Sequence, residues 1–264
     1  MKAYEDKLAQ ATLLQNEANT LDKHIESHLM QELGITTEEK QKKKGLQMIR
    51  FKDLDRWGVE YQLKEKGLYK NAKYPLKSMS DFIFINPKST FPKENIEASF
   101  IPMECVSDKN GDIIELKNGS TQDSKGYTKF QNNDLIWAKI TPCMQNGKSA
   151  IVHNLKNGIG YGSTEFHVFR QKENSNLRFF YHLFRTFYLR NMAMSYFTGT
   201  AGQQRVPASF FEDLKIPLPP LEIQNKIADQ IDAWKKEIKA KKEQADAIKQ
   251  QAKEIFEKSL FETQ

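Results

Sequence analysis

Residues 3–33 contain neither proline nor glycine, and apolar residues recur at Leu14, Ala18, Leu21 and Ile25. That three-and-four spacing predicts an α-helix, with Gly34 placed to cap it. The next segment, ITTEEKQKKKG, is polar and lysine-rich and reads as a linker over residues 35–45. From residue 46 to 217 the pattern changes to short apolar or alternating runs: DFIFINP from Asp81, GDIIELKNGS from Gly111, NDLIWAKITP from Asn133, GKSAIVHNL from Gly147 and TEFHVFRQK from Thr164. These are strand signals punctuated by proline and glycine. One helix interrupts them. In NLRFFYHLFRTFYLRNMAMSYF, Leu177, Phe180, Tyr181, Phe184, Phe187 and Tyr188 follow a helical period. So dense an aromatic face points to core rather than to a platform for stacking nucleic-acid bases.

Pro217, Pro219 and Pro220 stop the sheet region sharply. Beyond them Ile231, Trp234, Ile238, Lys241, Ala245, Ile248, Ala252 and Ile255 alternate steps of three and four, a heptad seam broken once, at Lys241. A single polar residue in such a seam fixes register or partner. About 40 residues of helix would extend roughly 60 Å, and the stripe of Ile231, Trp234, Ile238, Ile248 and Ile255 needs another helix to cover it, either the N-terminal helix of the same chain or one from another chain. The fold class expected is therefore α+β. It comprises a helix over 1–34, a linker over 35–45, a mixed β-rich domain with a few packed helices over 46–217, and a long coiled-coil-forming helix over 218–264.

At 264 residues and 39% hydrophobic content the chain can bury a real core. The start MKAYEDKLAQ lacks the basic and apolar runs of a signal peptide, and no window approaches 18 consecutive apolar residues. A soluble, cytoplasmic protein without a membrane partner is expected. Cys105 and Cys143 stand far apart, so neither a disulfide framework nor a zinc site is indicated. The net charge of +6 is unevenly spread: residues 41–220 hold 27 basic and 17 acidic residues, whereas residues 1–40 are net acidic. Such an excess attracts a polyanion, although it also serves solubility.

Most catalytic motifs fail on spacing. The GKS at Gly147 has Pro142 where a phosphate-binding loop requires glycine, and GIGYGS has Ser163 where a dinucleotide fingerprint needs its last glycine. The five histidines show no HExxH spacing. Asp108, Glu115 and Lys117 could form a nuclease-like set, but they also make an ordinary polar strand face. Asn86-Pro87 matches only the first half of an adenine methyltransferase motif and has no glycine-rich cofactor loop beside it. The stretch GIGYGSTEFHVFR reads as a tight turn before a strand, with Phe166, Val168 and Phe169 in apolar contact and Ser163, Thr164 and Glu165 satisfying backbone groups at the turn.

NDLIWAKITPCMQNGKSAIV, followed by GYGSTEFHVFR, resembles the core of a target recognition domain of type I restriction–modification specificity (S) subunits. TGTAGQQRVPASFFEDLKIPLPPLEIQNKIADQI is similar to the end of that domain and its passage into the family's long helix, and KGLQMIRFKDLDRWGVEYQ to its start. Full-length S subunits resemble two tandem copies of domain plus helix; here one copy follows a short helix, as in a half-subunit or a fragment holding the second copy. The resemblance implies a non-catalytic reader of double-stranded DNA. It also implies methyltransferase and restriction subunits as partners, with S-adenosylmethionine on the methyltransferase and no cofactor on this chain. A half-subunit that self-associates through its helices would meet an inverted-repeat target.

Reading bases needs donors and acceptors at groove edges, and holding the duplex needs cations. Two clusters supply them: Thr198, Thr200, Gln203, Gln204 and Arg205 in TGTAGQQRV, and Lys139, Thr141, Gln145, Asn146 and Lys148 between two predicted strands. Glutamine pairs with adenine and arginine with guanine. The first cluster reads equally well as a structural turn shared across the family, and Lys42, Lys43 and Lys44 as a solvated linker. Two other readings stay open: a DNA-modifying enzyme in its own right, and a coiled-coil adaptor that does not bind DNA.

Overall fold

The computed structural model describes residues 2–35, 71–200 and 202–261, with side chains to residue 258. Most of the predicted linker, Lys42 to Lys44, the stretch KGLQMIRFKDLDRWGVEYQ and Ala201 lie outside the described residues. The fold is α+β, and it divides into two compact units: residues 32–225, and residues 1–31 with 226–264.

Within residues 32–225 the strands form three sheets. β1 (Leu76–Ser78) pairs with β10 (Lys215–Pro217). The central antiparallel sheet has the order β2 (Ile83–Ile85), β9 (Phe166–Gln171), β6 (Leu135–Ala138), β7 (Ser149–Ile151). The third has the order β4 (Lys117–Ser120), β3 (Glu97–Ile101), β8 (Ile159–Gly162), β5 (Thr128–Gln131), with β3 and β8 parallel.

LIWA and FHVF are apolar at nearly every position because β6 and β9 are buried on both faces. Ile136, Ala150, Phe166 and Val168 form one core with Ile101 and Phe130 of the third sheet. On the opposite face, Trp137, His167 and Phe169 meet the ring of Phe211, which belongs to α4 (Ala208–Asp213).

The aromatic helix expected as one piece is two: α2 (Leu177–Arg185) and α3 (Phe187–Met194). Thr186 lies between them with extended backbone (φ −61°, ψ 144°); its hydroxyl donates to the Leu183 carbonyl and accepts from Leu189 N–H, so it closes one helix and caps the next. Phe187 consequently leaves the aromatic face and stands 62% exposed.

GIGYGS is also corrected. Asn157 and Gly158 turn the chain with positive φ, but Gly160 and Gly162 lie inside β8. A Cβ on Gly160 would meet the Phe130 ring at 2.5 Å, and one on Gly162 the Ile101 carbonyl oxygen at 2.1 Å. Those glycines let neighbouring groups approach β8 closely. Of GDIIELKNGS, only the end from Lys117 is strand.

In the other unit, α1 (Lys2–Leu33) runs antiparallel to α5 (Leu221–Phe261). Tyr4 packs on Phe256, Ala11 and Leu14 on Ala245 and Ile248, and His24 and His28 on Trp234. Ile231, Ile238 and Ile248 are buried, Trp234 and Ile255 half-buried. Of the partners the sequence left open for the seam, α1 of the same chain covers it. Lys241, the polar break, reaches Glu17 Oε2 of α1 at 2.7 Å.

Candidate nucleic-acid interface

Strand β6 ends at Ala138, and the chain then meets the segment around residue 205. Lys139 N–H donates to the Glu165 carbonyl, Val206 N–H to the Lys139 carbonyl and Thr141 N–H to the Gln204 carbonyl, each at 2.9 Å. After a cis peptide bond to Pro142, residues 142–148 make a helical turn closed by Asn146 N–H on Pro142 O, Lys148 N–H on Cys143 O and Gly147 at φ +79°. Thr198 and Arg205 exchange backbone hydrogen bonds and close a hairpin, with Gly199 (φ +102°) and Gly202 (φ +86°) supplying left-handed positions. The two polar clusters, distant in sequence, are thus joined edge to edge.

Gln145, Asn146, Thr198, Thr200 and Gln203 are exposed; Lys139, Thr141, Lys148, Gln204 and Arg205 are half-buried. Several of these side chains are already engaged. Arg205 donates from Nε and Nη2 to both Glu165 oxygens (2.8–3.1 Å) and from Nη1 to the Gln203 carbonyl. Lys148 Nζ donates to the Met103 carbonyl at 3.0 Å, and Gln145 Nε2 lies 3.3 Å from Met194 Sδ. Exposed amides and hydroxyls, with Lys139 beside them, are what the patch presents outward.

Residues that sequence reasoning did not single out as functional support this patch. Arg185 Nη1 donates to the Gly147 carbonyl at 2.7 Å while its Nη2 takes the Asp108 carbonyl at 2.9 Å, and Arg190 Nη1 donates to the Gln145 carbonyl. The basic positions within an otherwise aromatic helical stretch were the only sequence signal for them. Of the side chains expected to satisfy backbone at the turn, Ser163 Oγ accepts Glu165 N–H, whereas the Glu165 carboxylate serves Arg205 instead. That guanidinium holds the carboxyl below its ordinary range.

His167 donates from Nε2 to the Val206 carbonyl at 2.8 Å, while its Nδ1 accepts from Asn86 Nδ2 at 3.0 Å; Asn86 Oδ1 in turn accepts Val168 N–H. This set of partners suits the neutral ring. Burial pushes its pKa down to about 4. Because the folded value lies below the unfolded one, stability should be fully present above about pH 6.5. It should fall between there and about pH 4, with a slope of at most about 1.4 kcal/mol per pH unit. Urea unfolding across that range should show this loss in the native chain and a weaker pH dependence in His167→Gln.

Of the nuclease-like set, Asp108 offers its carbonyl to Arg185 and Lys117 pairs with Glu104 at 3.1 Å. No group of three or more His, Cys, Asp or Glu residues able to hold a metal occurs among the described residues. None of the described helices is long and apolar enough to cross a membrane.

The chain thus joins, in sequence, a β-rich domain with a polar two-loop patch to a pair of long helices. Residues 70–250 match the type I restriction modification DNA specificity domain, and the chain belongs to that family. It is 44% identical over 145 residues to the type I restriction enzyme EcoAI specificity subunit of Escherichia coli, covering 54% of this chain and 25% of that protein. It is 40% identical over 146 residues to the EcoEI specificity subunit of the same organism, covering 54% and 24%. The match thus spans about a quarter of the length of these relatives. Among solved structures, the HsdS subunit from Thermoanaerobacter tengcongensis aligns over 61% of this chain and 41% of its own, with 20% identity and a TM-score of 0.48.

Proposed function

We propose that the chain is a non-catalytic DNA-recognition subunit of a type I restriction–modification system. It reads double-stranded DNA through the patch of residues 139–148 and 198–205 and positions methyltransferase subunits, which carry S-adenosylmethionine, and with them restriction subunits. Membership of the specificity-domain family carries this reading. The basic excess of residues 41–220 supports it, since lysine and arginine displace counterions from phosphates. Two associated copies would bring two patches to a bipartite, inverted-repeat target. With α1 already on the α5 seam, such copies would meet through other faces of the helix pair or by exchanging α1.

Cells expressing the chain with its methyltransferase subunit should carry modified adenines in one motif, and sequencing them would give that motif and its symmetry. Affinity of the complex for the motif should fall roughly ten- to a hundredfold between about 50 and 200 mM salt if a few phosphates are contacted. DNA cleavage or methyl transfer by the chain alone would identify it as an enzyme. Binding that ignores salt, or none at all, would leave an adaptor.

A further inference from the structure

We infer that Glu165 is the positioning residue that holds both DNA-reading loops in one arrangement, acting through Arg205. The inference rests on the proposed function above and concerns how that patch is kept in shape. Three observations meet at Glu165. Its carboxylate takes two donors of Arg205 in a forked pair, its own carbonyl accepts Lys139 N–H, and two residues on, His167 holds the Val206 carbonyl. One strand start thus grips the first residue of one loop and the last residues of the other. Both glycines of the hairpin have positive φ, and Gly199, Thr200, Gly202 and Gln203 are exposed. The turn closes on Gln203 N–H to the Thr200 carbonyl at 3.1 Å, and its tie to the sheet comes from its base.

An ordinary exposed ion pair would hold little, because water screens it and two long side chains must be ordered. This one differs in geometry. The Glu165 side chain is 23% exposed, both its oxygens are used, and the remaining Arg205 nitrogen is tied to the Gln203 carbonyl within the hairpin. A planar guanidinium fixed at three nitrogens sets direction as well as distance, which a lysine cannot do. Arg205 on this view does not contact a base. The groups left to do so are exposed amides and hydroxyls, chiefly Asn146, Thr200 and Gln203.

The test uses the full chain with its methyltransferase subunit and compares the native protein with Glu165→Gln, Glu165→Ala and Arg205→Lys. Two quantities are read. The first is the ratio of affinity for the methylated motif to affinity for a duplex changed at one base pair. The second is hydrogen exchange at the Thr141 and Thr198 amides, whose acceptors are the carbonyls of Gln204 and Arg205. All three variants are expected to lower the ratio roughly tenfold and to speed those two amides by a similar factor. The Ile136 and Val168 amides should be unchanged, showing the sheet intact, and non-specific binding by Glu165→Gln at low salt should stay within about twofold. A native ratio and native exchange in Glu165→Ala would overturn the inference. So would a lowered ratio in Arg205→Lys with native exchange at Thr141 and Thr198, because Arg205 would then touch DNA itself. If the native complex discriminates no sequence at all, the proposed function fails, and exchange at Thr141 and Thr198 decides the positioning claim by itself.

Discussion

Phe211→Ala should lower the unfolding free energy by about 4 kcal/mol, the upper part of the range for removing a buried aromatic ring. The Phe211 ring has its centroid within 6 Å of those of five other rings: Trp137 (5.1 Å), His167 (5.7 Å), Phe169 (4.7 Å), Phe184 (5.3 Å) and Phe210 (4.8 Å). It is fully buried and joins the central sheet to α2 and α4. Aromatic neighbours on several sides cannot collapse into the space without leaving their rotamers, so the cavity term should be large. Phe211→Leu, which keeps most of the volume, should lose less than about 2 kcal/mol. Urea midpoints at unchanged m-value would measure both. A loss below about 1 kcal/mol in the alanine variant would mean that α4 is not seated on the sheet. Since α4 begins just beyond Val206, loosening it should also loosen the base of the 198–205 hairpin.

Arg170→Ala should cost about 3 to 5 kcal/mol, the range for stripping the partner from a buried charge. Arg170 holds Asp134 through Nε–Oδ1 (2.7 Å) and Nη2–Oδ2 (2.8 Å), and Nη2 also reaches Ser89. The Asp134 side chain is 1% exposed, so without the guanidinium its charge keeps, among the described residues, the Gln131 N–H at 2.8 Å. Most of the loss is that stranded carboxylate rather than the worth of the pair. The double variant Asp134→Asn with Arg170→Met should therefore recover more than half of it, as a thermal or urea melt of the three proteins would show. A double variant no better than Arg170→Ala would place the cost in lost packing of the arginine stem.

Much of this architecture is legible in local spacing. The stripes Leu14, Ala18, Leu21, Ile25 and Ile231, Trp234, Ile238 are helical because neighbours three and four apart share a face. The runs LIWA and FHVF announce strands buried on both sides. The break at Thr186 is hidden, since threonine is only a mild helix former and the aromatic period continues across it. Gly160 and Gly162 are misread for a related reason. Glycine signals freedom at a turn, yet here the missing Cβ makes room inside a strand for Phe130 and the Ile101 carbonyl.

The candidate interface divides in the same way. Residue types pointed to both polar clusters, because amides, hydroxyls and cations in glycine-bearing loops are what groove recognition requires. Their junction through Thr141 and Gln204 was not readable, nor was the engagement of Arg205 by Glu165 or of Val206 by His167. Nothing near Arg205 in sequence names its partner.

By itself the sequence determined the elements, their approximate order, the helical seam and the family, all of which rest on residue identity and short-range period. Only the tertiary structure decided which helix covers the seam, which loops meet and which charged groups remain to face a ligand. Those outcomes depend on sheet register and on contacts between segments far apart in the chain. A single residue of slip would exchange the faces of β9 and take Glu165 and His167 away from the loops they hold.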